Sequence, residues 1–219
     1  MRPLTDNLPK PLLSIQNKSL LAWHLEALAN AGIQNVVINH AWLGNKIEAT
    51  LGTGEQFGLH IQYSPEASAL ETAGGIVKAL PLLKPNDYFL AINGDVFSPN
   101  LPIETILRTA SNFSKGANKP LAHLFMVPNP SQHPEGDFYL KGSQVSSHDL
   151  GDSERLTFSG IGIYHKDLFQ DLEFGAPAKL APLLRGAMEQ NKVTGEKYLG
   201  SWHDVGTPQR LQELNAAYE

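Results

Sequence analysis

The chain has 219 residues, enough for one large domain or two small ones. It contains no cysteine, which excludes disulfides and thiolate metal sites and points to a reducing compartment. With 17 basic and 22 acidic residues and a net charge of -5, it carries no basic stripe that would suit DNA or RNA, and none of its windows reaches the roughly 20 apolar residues of a membrane span.

The first eleven residues are polar and proline-rich, without the apolar centre of a signal peptide, so a cytoplasmic protein is expected. Helical spacing follows over Ser19 to Ala31, with Leu21, Leu25 and Leu28 on one face and Gly32 as the stop. Asn35 to Asn39 is a short apolar run suited to a buried strand, and Leu43 to Leu51 is a second helix ending at Gly52. His60 to Tyr63 is extended, Thr72 to Leu83 is helical, and Tyr88 to Asn93 is a third strand leading into Gly94 and Asp95. This alternation predicts βαβ units. The fold class is therefore α/β, Rossmann-like, with a mostly parallel central sheet and flanking helices. Ligands in such sheets bind beyond the carboxyl ends of the strands, which places Asn39, Ser64 and Asp95 on one rim.

The second half is less regular. Strands are predicted over Leu121 to Val127 and Leu156 to Tyr164, with a hairpin turning at Lys141-Gly142. A helix spans Leu180 to Gln190, Trp202 to Val205 is extended, and Thr207 caps a last helix over Pro208 to Tyr218. No linker-like stretch divides the chain, so residues 1–219 are read as a single domain.

Three segments carry candidate chemistry. Lys10 stands between Pro9 and Pro11, and the prolines stiffen the backbone that presents its ammonium, a suitable partner for phosphate. The same stretch also reads as a proline-rich surface loop. Leu70 to Gly75 puts two glycines at a helix start, where free N–H groups attract anions or base acceptors, although an ordinary capped turn has the same composition. Asp95 follows a buried strand and Asp204 lies in Trp202-His203-Asp204-Val205-Gly206-Thr207. Two carboxylates on one rim would suit Mg2+, which takes oxygen ligands and keeps several waters. The histidines are scattered without paired ligand spacing, and His24, inside a helix, reads as a packing or surface residue.

In this order, Pro3-Leu4-Thr5, Pro9-Lys10-Pro11, Leu70 to Gly75, Asn93-Gly94-Asp95, Phe158 to Ile161 and Trp202 to Thr207 resemble the sugar-1-phosphate nucleotidyltransferase family over nearly the whole chain. Val37 to Gly44, Tyr63 to Glu66, Gly136-Asp137-Phe138 and Lys179 to Leu184 are similar to its branch that handles N-acetylmuramate 1-phosphate. The resemblance implies the nucleotide-diphospho-sugar transferase fold. It also implies small-molecule substrates, UTP and a sugar 1-phosphate, with no nucleic acid or membrane partner and an open oligomeric state. Asp95 and Asp204 would hold Mg2+, and Lys10 would contact phosphate oxygens. Glu71, Thr72, Gly74 and Asn93 would bind the nucleotide. Gly136, Asp137, Ser159 and Gly160 would line the sugar pocket. Alternatives are a guanylyl- or uridylyltransferase for mannose, glucose or N-acetylglucosamine 1-phosphate, and a catalytically silent nucleotide-sugar-binding subunit.

One departure stands out. The family pattern opens with a buried strand and a glycine-rich loop directly before Pro-Leu-Thr, whereas this chain begins Met1-Arg2-Pro3. The first strand and loop are therefore expected to be missing because the start is internal or the chain truncated. Its neighbours in the sheet should then show unpaired edges, and the chain as written should catalyse weakly or not at all.

Overall fold

The computed structural model describes residues 1–85, 87–116 and 119–218. In chain order the elements are β1 (Ser14–Ile15), β2 (Lys18–Ser19), α1 (Leu20–Asn30), β3 (Asn35–His40), α2 (Gly44–Leu51), β4 (His60–Pro65), α3 (Glu71–Leu83), β5 (Tyr88–Ile92), β6 (Val96–Phe97) and α4 (Ile103–Lys115). There follow β7 (Ala122–Val127), β8 (Phe138–Lys141), β9 (Gln144–Ser146), β10 (Glu154–His165), α5 (Leu180–Glu189), β11 (Val193–Lys197), β12 (His203–Asp204) and α6 (Pro208–Ala217). Local chemistry sets several of the boundaries. The Ser19 hydroxyl accepts from the Ala22 N–H and starts α1, and the Thr207 hydroxyl accepts from the Arg210 N–H and starts α6.

The main sheet runs β5-β10-β7-β11-β9-β8, and β8 also meets β10, so β10, β7, β11, β9 and β8 close into a ring. β7 is buried at every position, which accounts for its unbroken apolar character apart from His123. The expectation of a mostly parallel sheet is corrected here. Only β7–β11 and the separate β3–β4 pair are parallel, and the other pairings in the main sheet are antiparallel. The reason lies in β10, twelve residues long, which returns from a hairpin instead of a helical crossover and pairs with β5 on one side and β7 on the other. Its register slips between Phe158 and Gly162, a bulge that contains Ser159 and Gly160.

The sequence reading assigns no element between Asp95 and Leu121, where the structure has α4. Ile103, Ile106, Leu107, Ala110 and Phe113 form a clear helical stripe that packs with Phe125, Ile161 and Ile163, but Ser and Thr dilute the pattern on the other face.

β3 pairs only with β4, and β5 only with β10, among the described residues. The other edges of both strands border one cavity of about 730 Å³, whose walls include Val36, Ile38, Ile76, Leu90, Ile92 and Ile106.

The buried ring of His123 lies between Phe113 and Phe125, with Nδ1 2.8 Å from the Thr194 hydroxyl and Nε2 without a hydrogen-bond partner. Burial pushes its pKa down to about 4 and pushes the Glu196 carboxyl up, so both sides of their 3.7 Å contact move toward the neutral form and away from an ion pair. A histidine depressed in the fold binds its proton more readily when unfolded, so its contribution is complete above about pH 6.5 and is lost as the pH falls toward 4. Denaturant titrations should find the protein about 2 kcal/mol less stable at pH 5 than at pH 7 from this group, and His123→Phe should flatten that difference.

Candidate active site

β6 and β12 form a short antiparallel ladder in which Asp204 lies opposite Val96, and the Val205 N–H donates to the Asp95 carbonyl at 3.1 Å. Two acids 109 positions apart in the chain are thereby neighbours (204 minus 95). Each is engaged by a cation. Lys10, at the head of a single helical turn between its prolines, reaches Asp95 Oδ2 at 2.6 Å. Arg210, one turn into α6, donates from Nη1 to Asp204 Oδ2 at 2.8 Å. Gly206 leaves room for this second pair, because a Cβ there would stand 2.9 Å from Arg210 Nη1 and 3.0 Å from Asp204 Oδ2. Below Asp95, His24 is buried, and its Nε2 lies 2.8 Å from the Val96 carbonyl; burial lowers its pKa, and as read from the sequence it is a packing residue.

The start of α3 borders the large cavity through Glu71, Thr72 and Gly75, with Asn93 on the far wall. Glu71 takes a left-handed backbone with φ of 60°, an uncommon conformation for a residue with a side chain. The free N–H groups expected here are mostly used within the fold. Ala73 and Gly74 both donate to the Ala178 carbonyl, and the Leu70 N–H donates to Glu66 Oε2 at 2.9 Å. Gly74 itself packs against the 176–178 segment, where a Cβ would lie 2.4 Å from the Ala176 carbonyl oxygen. Asn39, placed on the rim by the strand rule, and Glu66, to which the sequence reading gives no role, complete this wall. Asn39 donates from Nδ2 to the Gly75 carbonyl at 2.6 Å, and Glu66 lies beside it at 3.4 Å.

The four residues assigned to the sugar side cluster around the β10 bulge, but the side chains of two of them are engaged within the fold. The Asp137 carboxylate accepts from the Phe158 N–H at 2.8 Å and contacts His133 at 3.1 Å, so it fixes the loop after β7. Ser159 is 1% exposed, its hydroxyl accepts from the Ile161 N–H, and its carbonyl accepts from Trp202 Nε1 at 2.9 Å. Gly136 and Gly160 both have positive φ, and their Cα atoms lie against the Asn129 and Asn93 side chains. A second cavity of about 590 Å³ opens next to them, bordered by Ser131, Gln132, Trp202, Asp204 and Arg210.

The sequence profile of the Nucleotidyl transferase family matches residues 1–135. The chain is 49% identical to an N-acetylmuramate alpha-1-phosphate uridylyltransferase from Neisseria meningitidis serogroup B, over 99% of this chain and 92% of that protein. This chain belongs to the nucleotidyl transferase family. A second relative of the same description, from Caulobacter vibrioides, is 30% identical over 95% of this chain and 88% of its own length. Among solved structures, HddC from Yersinia pseudotuberculosis superposes with a TM-score of 0.77 at 16% identity, over 100% of this chain and 94% of that one, which places both in one fold.

In this nucleotidyl transferase the donor set at the ladder fits Mg2+. One carboxylate, Asp204, stands on β12 and the other, Asp95, directly precedes β6. That matches an ion that takes one or two carboxylates and leaves the rest of its shell to phosphates and water. Trp202, Asn39, Glu66 and Arg210 join the site through hydrogen bonds whose partners are distant in sequence or on another element, and a linear reading has no signal for such pairings. The β10 bulge supplies a direct test. Gly160 has φ of 77°, and a Cβ would meet Asn93 Nδ2 at 2.7 Å. Urea unfolding should show Gly160→Ala destabilised by about 1–3 kcal/mol, and an Asn93→Ala background should recover only part, since the backbone strain remains.

Proposed function

We propose that this chain transfers a uridylyl group from UTP to N-acetylmuramate 1-phosphate, giving UDP-MurNAc and pyrophosphate, in the cytoplasmic reuse of peptidoglycan sugars. The observation that carries the reading is the convergence of Lys10, Asp95 and Asp204 at one ladder, in a chain 49% identical to an enzyme of that name.

The chemistry follows from what the residues can hold. The sugar phosphate is an anion at neutral pH, so its oxygen attacks the α-phosphorus without a general base. The bond from that phosphorus to the β-phosphate oxygen breaks, and pyrophosphate leaves with the electron pair. Bound Mg2+, held by Asp95 and Asp204, would neutralise charge on the reacting phosphates. Lys10 would exchange its contact with Asp95 for phosphate oxygens, a short movement for a flexible ammonium. Glu71, Thr72 and Asn93, with Asn39 and Glu66 behind them, would line the base and ribose side. Gly136 and Gly160 would let the sugar approach the backbone, while Asp137 and Ser159 hold the loop and bulge that shape its pocket. Gly74 would contribute by seating α3 on the 176–178 segment.

The slot between β3 and β5 favours one second reading, a nucleotide-sugar binder without turnover. An extended segment there would complete the sheet, and a loop leaving its carboxyl end would emerge at the rim that bears Asp95. The deciding measurement is pyrophosphate release with Mg2+, UTP and N-acetylmuramate 1-phosphate. This chain should be compared with a form extended at its N-terminus by an apolar strand and a glycine-rich loop. The extended form is expected to release pyrophosphate at least 100-fold faster, the scale on which removal of one set of backbone donors acts. Binding of UDP-sugar by both forms without release from either would move the assignment to the silent binder. Activity with GTP over UTP would move it to a guanylyltransferase.

A further inference from the structure

We propose that Arg210 is a specificity-determining residue that reads a carboxylate on the sugar, with one face of its guanidinium holding Asp204 and the other receiving the substrate. The inference rests on the uridylyltransferase reading above and goes beyond it by naming the side chain that separates an acidic sugar from a neutral one.

The geometry divides the guanidinium into two faces. Nη1 is committed, donating to Asp204 Oδ2 at 2.8 Å and lying 3.4 Å from the Asp204 carbonyl oxygen. Nε and Nη2 donate to no acceptor among the described residues. Those two groups form the side-on fork that matches the two oxygens of a carboxylate, a shorter and stronger contact than a neutral hydrogen bond. The residue borders the 590 Å³ cavity, whose lining also includes the neutral polar residues Ser131 and Gln132.

The site is also built so that the guanidinium stays in place. Thr207 caps α6 through the Arg210 N–H, Gly206 removes the Cβ that would press the ion pair apart, and Trp202 ties the adjoining strand to the bulge. Two carboxylates share this cavity with Arg210: Asp204, which Nη1 already holds, and Glu213, one helical turn away, whose Oε1 accepts from Gln209. A carboxylate arriving beside Arg210 would be repelled by Glu213 and attracted by the guanidinium. A neutral sugar would gain from neither charge.

The test is binding of UDP-MurNAc and UDP-GlcNAc to the whole chain by titration calorimetry, with each variant first checked for an unchanged unfolding midpoint. The two ligands share uridine, diphosphate and the acetamido sugar, and differ at the lactyl carboxylate. The unaltered protein is expected to prefer UDP-MurNAc by about 10-fold or more. Arg210→Lys, which keeps a cation for Asp204 but loses the fork, should reduce the preference to about 2-fold by weakening UDP-MurNAc alone. Glu213→Gln, an exposed change, should strengthen UDP-MurNAc by roughly 2-fold and leave UDP-GlcNAc where it was. Equal weakening of both ligands in Arg210→Lys would overturn the proposal and leave Arg210 as a support for Asp204 or a diphosphate contact. Failure of the unaltered chain to bind either UDP-sugar would overturn the uridylyltransferase reading itself.

Discussion

Everything at the candidate reaction centre depends on a two-residue antiparallel ladder. Val96 faces Asp204, and the Val205 N–H closes on the Asp95 carbonyl, so the backbone makes neighbours of two aspartates that lie far apart in the chain. Neither strand would survive alone, because two residues cannot offset the entropy of ordering them. They persist because Phe97 and Val205 are fully buried in one apolar cluster with Leu20, Leu211 and Leu214, which joins α1 and α6 to the same spot. Packing on one side of the ladder thus sets electrostatics on the other.

Each of the two carboxylates is paired with a cation, and the two cations are of different kinds. Lysine and arginine are not interchangeable here. An ammonium on a flexible stem can leave Asp95 for a phosphate without loss of geometry, while a guanidinium can keep Asp204 and still present a second face. Both pairs are partly exposed, so their contribution to stability is small and their meaning is positional. The same reasoning explains Gly206, whose missing side chain is required by the ion pair above it and not by its own backbone angles.

Much of the first half was legible in the sequence because its signals are local. Ser19 caps α1, apolar spacing marks α1 and α2, and β3 and β4 form a parallel pair as the βαβ pattern implies. The second half was less legible because its order comes from long-range pairing. Nothing in Glu154 to His165 reveals that one strand will be antiparallel to β5 and β7 at once, and that arrangement is what turns an expected parallel sheet into a mixed, partly closed one. The site shows the same division. Lys10, Asp95 and Asp204 could be picked out by residue type and position. By contrast, the use of Ala73 and Gly74 N–H groups by Ala178, the engagement of Asp137 with the Phe158 N–H, and the joining of Asn39 to Gly75 depend on contacts that no spacing encodes.

The two sides of the site are held by unequal means. On the sugar side the bulge is pinned by Asn93 to Gly160, Trp202 to Ser159 and Asp137 to Phe158, a set of direct hydrogen bonds between three separate elements and their flanking turns. On the other side, β3 and β4 rest on α1 and α2 through an apolar cluster of their own, and no backbone ladder joins them to β5 among the described residues. An apolar slot of that size holds water poorly, and unpaired strand edges beside it remain short of hydrogen bonds unless an extended segment lies between them. Asn39, near the end of β3, and Asn93, just after β5, both border this cavity, so a change in the distance between β3 and β5 alters it while the β6–β12 ladder is built from other strands.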